Sequence, residues 1–246
     1  MEKRLFTIAA NDRVAADTYR LRLEAVAPGY RFSGEFVDIA LPGYYLRRPL
    51  SVCDAGDGWL QLLYKVVGDG TRLLSTLPAG TVLDVLTGLG HGFSVDACRA
   101  DALLVGGGLG AAPLHLLAKE LKAQGRHVTA IMGFNTADEV VLDDEFRALA
   151  DRYVLVTADG SRGMKGFPTD AIRTLQPSFD FFYTCGPMVM MRAVCQQLAD
   201  SDGEASLEER MGCGAGFCYG CSCHTTVGPR RVCMDGPVFR KEEIQW

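Results

Sequence analysis

Four cysteines near the C-terminus have a spacing that suits an iron–sulfur cluster. Cys213, Cys218 and Cys221 follow the pattern C-x4-C-x2-C, and Cys233 comes after eleven further residues. This spacing is typical of plant-type [2Fe–2S] clusters, which are held by four cysteine thiolates. Small residues between the cysteines allow the backbone to turn tightly around such a cluster. The sequence therefore predicts a [2Fe–2S] site, with Cys223 as a surplus thiol.

Zinc and disulfide bonds are the alternative uses of these cysteines. Structural zinc usually takes two C-x2-C-like pairs, and only Cys218 and Cys221 form one. Disulfides belong to oxidising compartments, and the N-terminal segment does not have the features of a secretion signal. Both alternatives stay open, but the spacing favours iron.

The composition is that of a folded protein without an obvious attraction to polyanions. The chain has 246 residues, of which 48% are hydrophobic, and a formal net charge of −5. This length suits two compact domains, or one large domain with a small module. The absence of a basic stripe argues against nucleic acid and anionic membranes as partners. Since no apolar run is long enough for a membrane span, we expect a cytoplasmic protein.

Residues 1–97 have a β-rich pattern, in which Tyr19, Leu21 and Leu23 alternate with charged residues as in a half-buried strand. Strands are expected at 19–24, 36–41, 50–53, 59–67 and 82–86. Gly, Pro and Asp clusters separate these segments at short intervals, which is typical of a sandwich or barrel. A short helix is expected from about Thr71 to the break at Pro78.

Two segments of this β-rich part carry groups that suit a pyrophosphate. Arg48-Pro49-Leu50-Ser51 offers a guanidinium, whose fixed charge and planar donors match phosphate. Leu63-Tyr64-Lys65 leads to Gly70-Thr71, where free backbone N–H groups at the start of a short helix make an anion site. Either segment alone is compatible with an ordinary barrel edge and turn. Their combination favours a flavin-binding site.

Residues 98–205 alternate between strand and helix patterns. Strands are expected at 102–105, 128–132, 153–157 and 179–183, and helices at 111–124, 143–150, 170–175 and 188–198. Such repeated units predict a parallel sheet with helices on both faces.

A glycine run ends the first of these strands and opens a helix. Gly106-Gly107-Gly108-Leu109-Gly110 stands in the setting in which such runs bind a dinucleotide pyrophosphate. A generic tight turn is the alternative, because Ala111 occupies the place of the third glycine of G-x-G-x-x-G. Cys185-Gly186-Pro187 follows the fourth strand, at the edge where parallel sheets bind ligands. We therefore assign the Cys185 thiol a catalytic place near a nicotinamide, with a buried core thiol as the alternative.

The segment after the second strand of this part favours NAD over NADP. Between Gly133 and Arg147 the sequence has no lysine or arginine. A 2′-phosphate would need a cation in this region, whereas the 2′-hydroxyl of NAD does not.

No constellation of side chains for nucleophilic or acid–base catalysis is evident in the sequence. The four histidines, His91, His115, His127 and His224, are scattered, and each is interpreted as structural or solvated. Bound cofactors rather than side chains would then supply the redox chemistry.

Three sets of residues follow one another along the chain: Arg48–Ser51 with Gly70-Thr71, then the glycine run with Cys185-Gly186-Pro187, then the four-cysteine loop. This order resembles the ferredoxin–NAD(P)H reductase superfamily. The C-terminal part is more specific. With Glu208-Glu-Arg-Met-Gly-Cys213 before the cysteine loop and Val232-Cys-Met-Asp-Gly-Pro-Val-Phe239 after it, it resembles the electron-transfer subunits of type B dihydroorotate dehydrogenases. The likeness covers nearly the whole chain.

The resemblance implies an antiparallel FAD-binding β-barrel at 1–97, an NAD-binding α/β domain at 98–205 and a [2Fe–2S] module at 206–246. By motif, FAD would contact Arg48, Pro49, Leu50, Ser51, Leu63, Tyr64, Lys65, Gly70 and Thr71. Iron would be held by Cys213, Cys218, Cys221 and Cys233. The flavin-proximal loop of the family matches Gly88-Leu-Gly-His-Gly-Phe93, in which His91 receives no role.

The resemblance also implies a partner, which is a separate FMN-containing catalytic subunit in a heterotetramer with two copies of each chain. Electrons from dihydroorotate would reach NAD+ through this chain, in the synthesis of UMP. One alternative is a related NAD(P)H:ferredoxin or sulfhydrogenase-type reductase subunit with another partner. A second is a zinc-stapled nucleotide-binding module without a redox role.

Overall fold

The computed structural model describes residues 1–25 and 33–246, and it confirms the expected fold class. A closed antiparallel barrel is followed by an α/β domain with a mainly parallel sheet, and a small cysteine-containing module completes the chain. Among the helices in the described part of the chain, none is long and apolar enough to cross a membrane.

Six antiparallel strands close the barrel in the order β1-β2-β5-β4-β3-β6. They are β1 (Glu2–Ala15), β2 (Thr18–Glu24), β3 (Phe36–Ile39), β4 (Arg48–Gly56), β5 (Trp59–Lys65) and β6 (Val82–Leu89). The barrel core is apolar, and alternate residues of each strand point into it. Leu21 and Leu23 are fully buried there, as the alternation in the sequence predicts.

Two details of the barrel differ from the sequence-based expectation. Strand β1 was missed because its apolar run is short, although Phe6 and Ile8 alternate with exposed residues and are buried in the core. Helix α1 (Asp69–Thr76) begins two residues before the expected start. The hydroxyl of Thr71 accepts hydrogen bonds from the N–H groups of Val67 and Gly68, which caps the first turn and explains the earlier start.

The second sheet has seven strands in the order β10-β9-β8-β7-β11-β12-β15. Its strands are β7 (Asp101–Gly107), β8 (His127–Phe134), β9 (Arg152–Thr157), β10 (Met164–Lys165), β11 (Phe181–Cys185), β12 (Gly203–Ser206) and β15 (Val238–Arg240). The helices are α2 (Ala111–Ala123), α3 (Asp143–Leu149), α4 (Pro168–Leu175) and α5 (Met188–Gln197). Two apolar cores, one on each side of the sheet, bury both of its faces.

Strand β11 begins at Phe181, two residues after the expected start. The carboxylate of Asp180 accepts hydrogen bonds from the N–H groups of Arg99, Ala100 and Asp101, at 2.7–2.9 Å. A side chain thus joins the two segments just before their strands begin. The apolar run that starts at Phe179 cannot reveal such a contact.

The cysteine module is joined to the second sheet. Strands β13 (Ser222–Thr225) and β14 (Gly228–Arg231) form a hairpin, and α6 (Val232–Asp235) follows. Strand β15 then pairs antiparallel with β12 and becomes the edge of the seven-stranded sheet. Sequence analysis predicted neither β12 nor this pairing. The module is therefore held to the sheet by a backbone ladder as well as by its side chains.

Close contacts fix the barrel against the second domain. Helix α2 packs on β4, where Nδ1 of His115 lies 3.1 Å from the carbonyl oxygen of Cys53. Three ion pairs also cross this boundary: Arg20–Glu145 at 2.6 Å, Lys65–Glu139 at 2.9 Å and Lys119–Asp54 at 2.5 Å. These contacts set the distance between the ligand-binding edges of the two domains.

Candidate functional site

A cleft with a volume of about 370 Å³ runs along the outside of the barrel, between the barrel and the other two parts of the molecule. The residues that the sequence assigns to flavin converge here from β4, β5 and α1. Its walls include Arg48, Pro49, Leu50, Ser51, Leu63, Tyr64, Lys65 and Thr71. Gly70 lies beside the cleft, with its Cα against the guanidinium of Arg48. Segments that are far apart in sequence thus form one surface.

One end of this cleft, formed by Arg48 and the start of α1, suits an anionic ligand such as a pyrophosphate. The guanidinium of Arg48 stacks over the ring of Tyr44, with its carbon 4.7 Å from the ring centre. It lies next to the start of α1, whose free N–H groups carry partial positive charge. Lys65 adds a second cation to the walls. An anion in the cleft would therefore meet both fixed charge and oriented backbone donors.

Several walls of the cleft were not predicted. Leu109 and Ala112 come from the glycine run and α2, and Glu208, Glu209 and Met211 come from the segment before the first cluster cysteine. The sequence shows this segment only as a flank of the cysteine motif. Its place in the cleft follows from β12, which directs the chain past the barrel towards Cys213.

A second pocket, with a volume of about 410 Å³, opens at the carboxyl edge of the parallel strands. The predicted residues Gly107, Gly108 and Pro187 line it. Its other walls are Gly133, Phe134, Asn135, Glu139, Ala158, Gly166, Phe167, Pro168, Thr169, Val189, Met190 and Ala193. This is the edge at which open parallel sheets bind ligands.

The glycine run and the Cys185-Gly186 segment contact each other behind this pocket. The Cα of Gly110 packs on the carbonyl oxygen of Cys185, where a Cβ would overlap that oxygen. Gly186 also lies close to the backbone of Gly107, where a Cβ would be 2.7 Å from the carbonyl oxygen. Gly106 is buried against Met132. These close approaches explain why glycine is needed here even though the run departs from the strict motif.

Glu139 connects the pocket with the cleft. Its carboxylate pairs with Nζ of Lys65 at 2.9 Å and accepts a hydrogen bond from Nδ2 of Asn135 at 2.8 Å. The hydrogen bond from Lys65 lowers the pKa of Glu139, so the carboxylate is charged near neutral pH. None of the described residues that line the pocket is a lysine or an arginine. The described lining of the pocket thus includes a carboxylate for a 2′-hydroxyl and no cation for a 2′-phosphate, and the nearby Lys65 is paired with Glu139.

Cys185 is 1% exposed, and its side chain belongs to the core of the second domain. Burial raises the pKa of its thiol well above the usual range. The thiol hydrogen-bonds with Ser206, which lines the cleft. Cys185 thus lies one residue behind the wall of the cleft, and its role at a nicotinamide stays a prediction.

The four candidate cluster cysteines form two pairs. The thiol of Cys213 is a neighbour of the thiol of Cys218, and the thiol of Cys221 is a neighbour of the thiol of Cys233. In the described residues, no three His, Cys, Asp or Glu side chains converge as a single metal ion would require. The C-x4-C-x2-C spacing, with Cys233 on α6, fits a cluster with two irons better than it fits one zinc ion.

Backbone N–H groups point at these sulfurs. The amides of Ala215 and Phe217 donate to Sγ of Cys213, at 3.5 and 3.2 Å. The amides of Gly220 and Cys233 donate to Sγ of Cys218 and Cys221, both at 3.4 Å. Such donors stabilise thiolates and tune the potential of a bound cluster. Burial opposes ionisation of the Cys213 thiol, but hydrogen bonds from the backbone of Ala215, Cys218 and Phe217 lower its pKa to about 6.

Arg231 holds the cysteine loop in place, and sequence analysis missed it. Its Nη1 donates to the carbonyl oxygen of Gly216 at 2.9 Å, and its Nε donates to the carboxylate of Asp235 at 3.1 Å. The guanidinium also lies over the ring of Tyr219. It therefore ties the loop to α6, which carries Cys233. An arginine next to a cysteine motif was visible in the sequence, but nothing there indicated these partners.

Cys223 is the fifth cysteine of the module and lies close to this arrangement. It lies on β13 opposite Arg230 and is 8% exposed. Its side chain packs in the apolar core beneath the loop, and burial raises the pKa of its thiol. Cys221 and Cys233 pack in the same core, so the interpretation of Cys223 as a surplus thiol stays a prediction.

Two family models match the chain. The iron-sulfur cluster binding domain of dihydroorotate dehydrogenase B matches residues 208–245, and the oxidoreductase NAD-binding domain matches residues 104–196. The first match covers the cysteine loop and the second covers the glycine run.

Relatives match over nearly the whole chain. The electron transfer subunit of dihydroorotate dehydrogenase B (NAD(+)) from Bacillus cereus (strain G9842) is 40% identical over 257 aligned positions, covering 99% of both proteins. The subunit of the same name from Fusobacterium nucleatum subsp. nucleatum is 39% identical and covers 97% of both.

Solved structures share the fold. A structure of the NADH-dependent reduced ferredoxin-NADP oxidoreductase, studied for flavin-based electron bifurcation, has a TM-score of 0.90 and 33% identity. That match covers 99% of this chain and 90% of the other. A ferredoxin NADP+ reductase from Neisseria gonorrhoeae, with bound FAD and NADP, has a TM-score of 0.70 at 19% identity, covering 81% of this chain and 92% of the other.

The two pairs of thiols predict which cysteines the protein needs for iron. Replacing Cys213, Cys218, Cys221 or Cys233 by alanine should reduce bound iron and sulfide to half or less of the normal content, because a [2Fe–2S] cluster needs four thiolates. Cys223→Ala is the matched control and should keep the full content. Iron and sulfide analysis of anaerobically purified protein measures this. Full iron in Cys218→Ala, or its loss in Cys223→Ala, would assign the wrong set of ligands.

The position of Cys185 predicts a selective kinetic effect. If its side chain borders the nicotinamide, Cys185→Ala should slow flavin reduction by NADH several-fold and leave the iron content unchanged. Cys195→Ala, which removes another buried thiol in α5, is the control. Stopped-flow absorbance of the flavin measures the rate. An unchanged rate in Cys185→Ala would reduce its role to packing.

Proposed function

The chain belongs to the family of dihydroorotate dehydrogenase B electron transfer subunits, and we propose that it carries electrons from a dihydroorotate-oxidising catalytic subunit to NAD+. The single observation that carries this proposal is structural. The cleft, the pocket and the paired cysteines adjoin one another, because the segment from Ser206 to Cys213 leads from the sheet edge along the cleft into the cysteine loop. The product on the partner would be orotate, a precursor of UMP.

Three groups of residues would hold the cofactors. The cleft would hold FAD, with Arg48 and the start of α1 on its pyrophosphate. The pocket at the sheet edge would hold NAD, and the four paired cysteines would hold a [2Fe–2S] cluster. When bound, these groups exchange a hydride at the nicotinamide and single electrons at the iron, which no side chain of the protein can do.

The protein's own residues bind and orient these groups. Lys65 contacts Glu139 across the boundary between cleft and pocket, so the two ligands would be held in a fixed relation. Leu109 and Ala112 form an apolar wall of the cleft next to the glycine run. The N–H groups of the cysteine loop stabilise the thiolates. The polypeptide would thus position the cofactors and set the charge around them. No catalytic triad is evident in the sequence, and this role does not require one.

The surface around the cysteine loop supports a protein partner. We define the cysteine-loop patch as Phe217, Tyr219 and Met234, which are 79%, 62% and 48% exposed. Cys218 is exposed beside them. Exposed large apolar side chains grouped together mark interaction surfaces, and aromatic residues often dominate their binding energy. We propose that the FMN-containing catalytic subunit docks on this patch, in a heterotetramer with two copies of each chain.

One observation favours a second candidate. The match to the NADH-dependent reduced ferredoxin-NADP oxidoreductase covers almost the whole chain at 33% identity. A reductase subunit with a different partner would use the same cleft, pocket and cysteine loop. Purification of the native complex separates the two, because only the first candidate predicts a flavoprotein partner that forms orotate from dihydroorotate.

The position of Arg48 predicts its contribution to FAD binding. Arg48→Ala removes a charged donor from the cleft, and such hydrogen bonds contribute about 1.5–3 kcal/mol. The affinity for FAD should therefore fall about 10- to 100-fold. Arg72→Ala is the control, since Arg72 lies on α1 but is exposed and does not line the cleft. Fluorescence titration of flavin-free protein measures both affinities, and equal losses in the two variants would refute the assignment.

If the catalytic subunit docks on the cysteine-loop patch, a charge placed in the patch should weaken docking and leave electron transfer from NADH to the flavin of this chain unchanged. Phe217→Asp should weaken binding of the catalytic subunit by at least tenfold, because it places a charge in an apolar contact. Reduction of the flavin by NADH in the isolated chain should stay unchanged. Val82→Asp, at another exposed apolar position on β6, is the control. Co-purification and calorimetry measure binding, and unchanged affinity in Phe217→Asp would place the partner elsewhere.

A further inference from the structure

Asp38 is a buried carboxyl group at the contact between the barrel and the cysteine module. Along β3, Val37 and Ile39 point into the barrel core, so Phe36 and Asp38 point outwards. Phe36 packs in the apolar core that contains Cys221, among other residues of the module. Asp38 shares this outer face and is only 2% exposed. An ionisable side chain is thus buried where the barrel meets the cysteine module.

The carboxyl group of Asp38 lies against the backbone of the cysteine loop. Gly214, directly after Cys213, has a φ of +62°, and a Cβ at this position would overlap Oδ2 of Asp38. Only glycine combines this backbone conformation with such a close approach. The other oxygen, Oδ1, has no hydrogen-bond partner among the described residues. The side chain therefore faces the loop and is incompletely satisfied.

The charged neighbours of Asp38 do not fully neutralise it. Nη1 of Arg47 donates to the carbonyl oxygen of Asp38 at 3.2 Å, but its Nη2 pairs with Asp84 of β6 at 2.9 Å. Arg48 is the second cation nearby, and it also lines the flavin cleft. On the loop side, the carboxyl group faces the backbone of Gly214. Burial raises the pKa of Asp38 to about 6, although Arg47 and Arg48 oppose this shift.

Burying a carboxylate without full hydrogen bonding destabilises a fold, and an apolar residue would suit the contact better. We propose that Asp38 acts by its charge: its carboxylate, which lies behind Gly214, opposes electron uptake by the iron that the cysteine loop holds. This inference rests on the proposed function, since it requires the cluster.

The charge balance gives the direction of the effect. An electron supplied through the flavin adds a negative charge to the loop, and this charge favours a proton on Oδ1 or Oδ2 of Asp38. One electron is therefore taken up with at most one proton from solvent, and both leave together on reoxidation. The reduction potential should fall as pH rises above about 6, where the carboxylate becomes charged, and level off at lower pH, where it is neutral.

The test is a redox titration of the cluster-loaded protein, followed by the EPR signal of the reduced cluster, between pH 5 and pH 8.5. The wild-type potential should fall with rising pH. In Asp38→Asn it should be more positive at pH 8 and nearly independent of pH. Asp54→Asn, which removes a carboxylate that pairs with Lys119 on the α2 side of β4, should behave like the wild type.

The outcomes separate this inference from the proposed function. A cluster signal with a pH-independent wild-type potential overturns the role of Asp38 and leaves the proposed function intact, even if Asp38→Asn does not fold. An equal shift in Asp38→Asn and Asp54→Asn also overturns it, because the effect would then be one of general charge. Absence of any cluster signal from iron-loaded wild-type protein overturns both.

Discussion

The pairing of β15 with β12 is the contact on which the arrangement of the three sites depends. Ser206 pairs with Val238 and Ala205 with Phe239, so the end of the cysteine module is part of the second sheet. The chain leaving β12 then has one path, along the flavin cleft towards Cys213. Packing of Phe36 and Leu89 against the module closes the contact from the barrel side. A ladder of backbone hydrogen bonds thus holds the cysteine loop in place, although the loop itself has little regular secondary structure.

A second constraint links the barrel to the sheet. Lys65 and Glu139 pair between cleft and pocket, and His115 contacts the backbone of Cys53 between α2 and β4. Electron transfer depends on fixed distances and on the local charge more than on side-chain chemistry. A rigid boundary therefore serves the proposed function better than a hinge would. The family shared with the dihydroorotate dehydrogenase B subunits explains why all three parts occur in one chain.

Local patterns in the sequence were enough to predict much of the fold and to propose much of the candidate site. Alternation in β2 predicted buried Leu21 and Leu23. The cysteine spacing predicted an iron–sulfur module, and an iron-sulfur cluster binding domain matches residues 208–245. Contacts that depend on tertiary structure left no such pattern. Glu208 and Met211 line the cleft only because β12 is placed beside β11, and Asp38 looks like an ordinary polar residue of a strand. Arg231 gives no sign in the sequence that it spans Gly216 and Asp235. These residues act between elements, where periodicity carries no information.

We expect electrons to pass between NAD and the cysteine loop only through FAD bound in the cleft. This path can be tested by recording the iron–sulfur absorbance after NADH is added to cluster-loaded protein, with and without FAD. The iron–sulfur absorbance should bleach when FAD is bound and stay unchanged when FAD has been removed. Bleaching by NADH in the FAD-free protein would show that electrons reach the iron by another path.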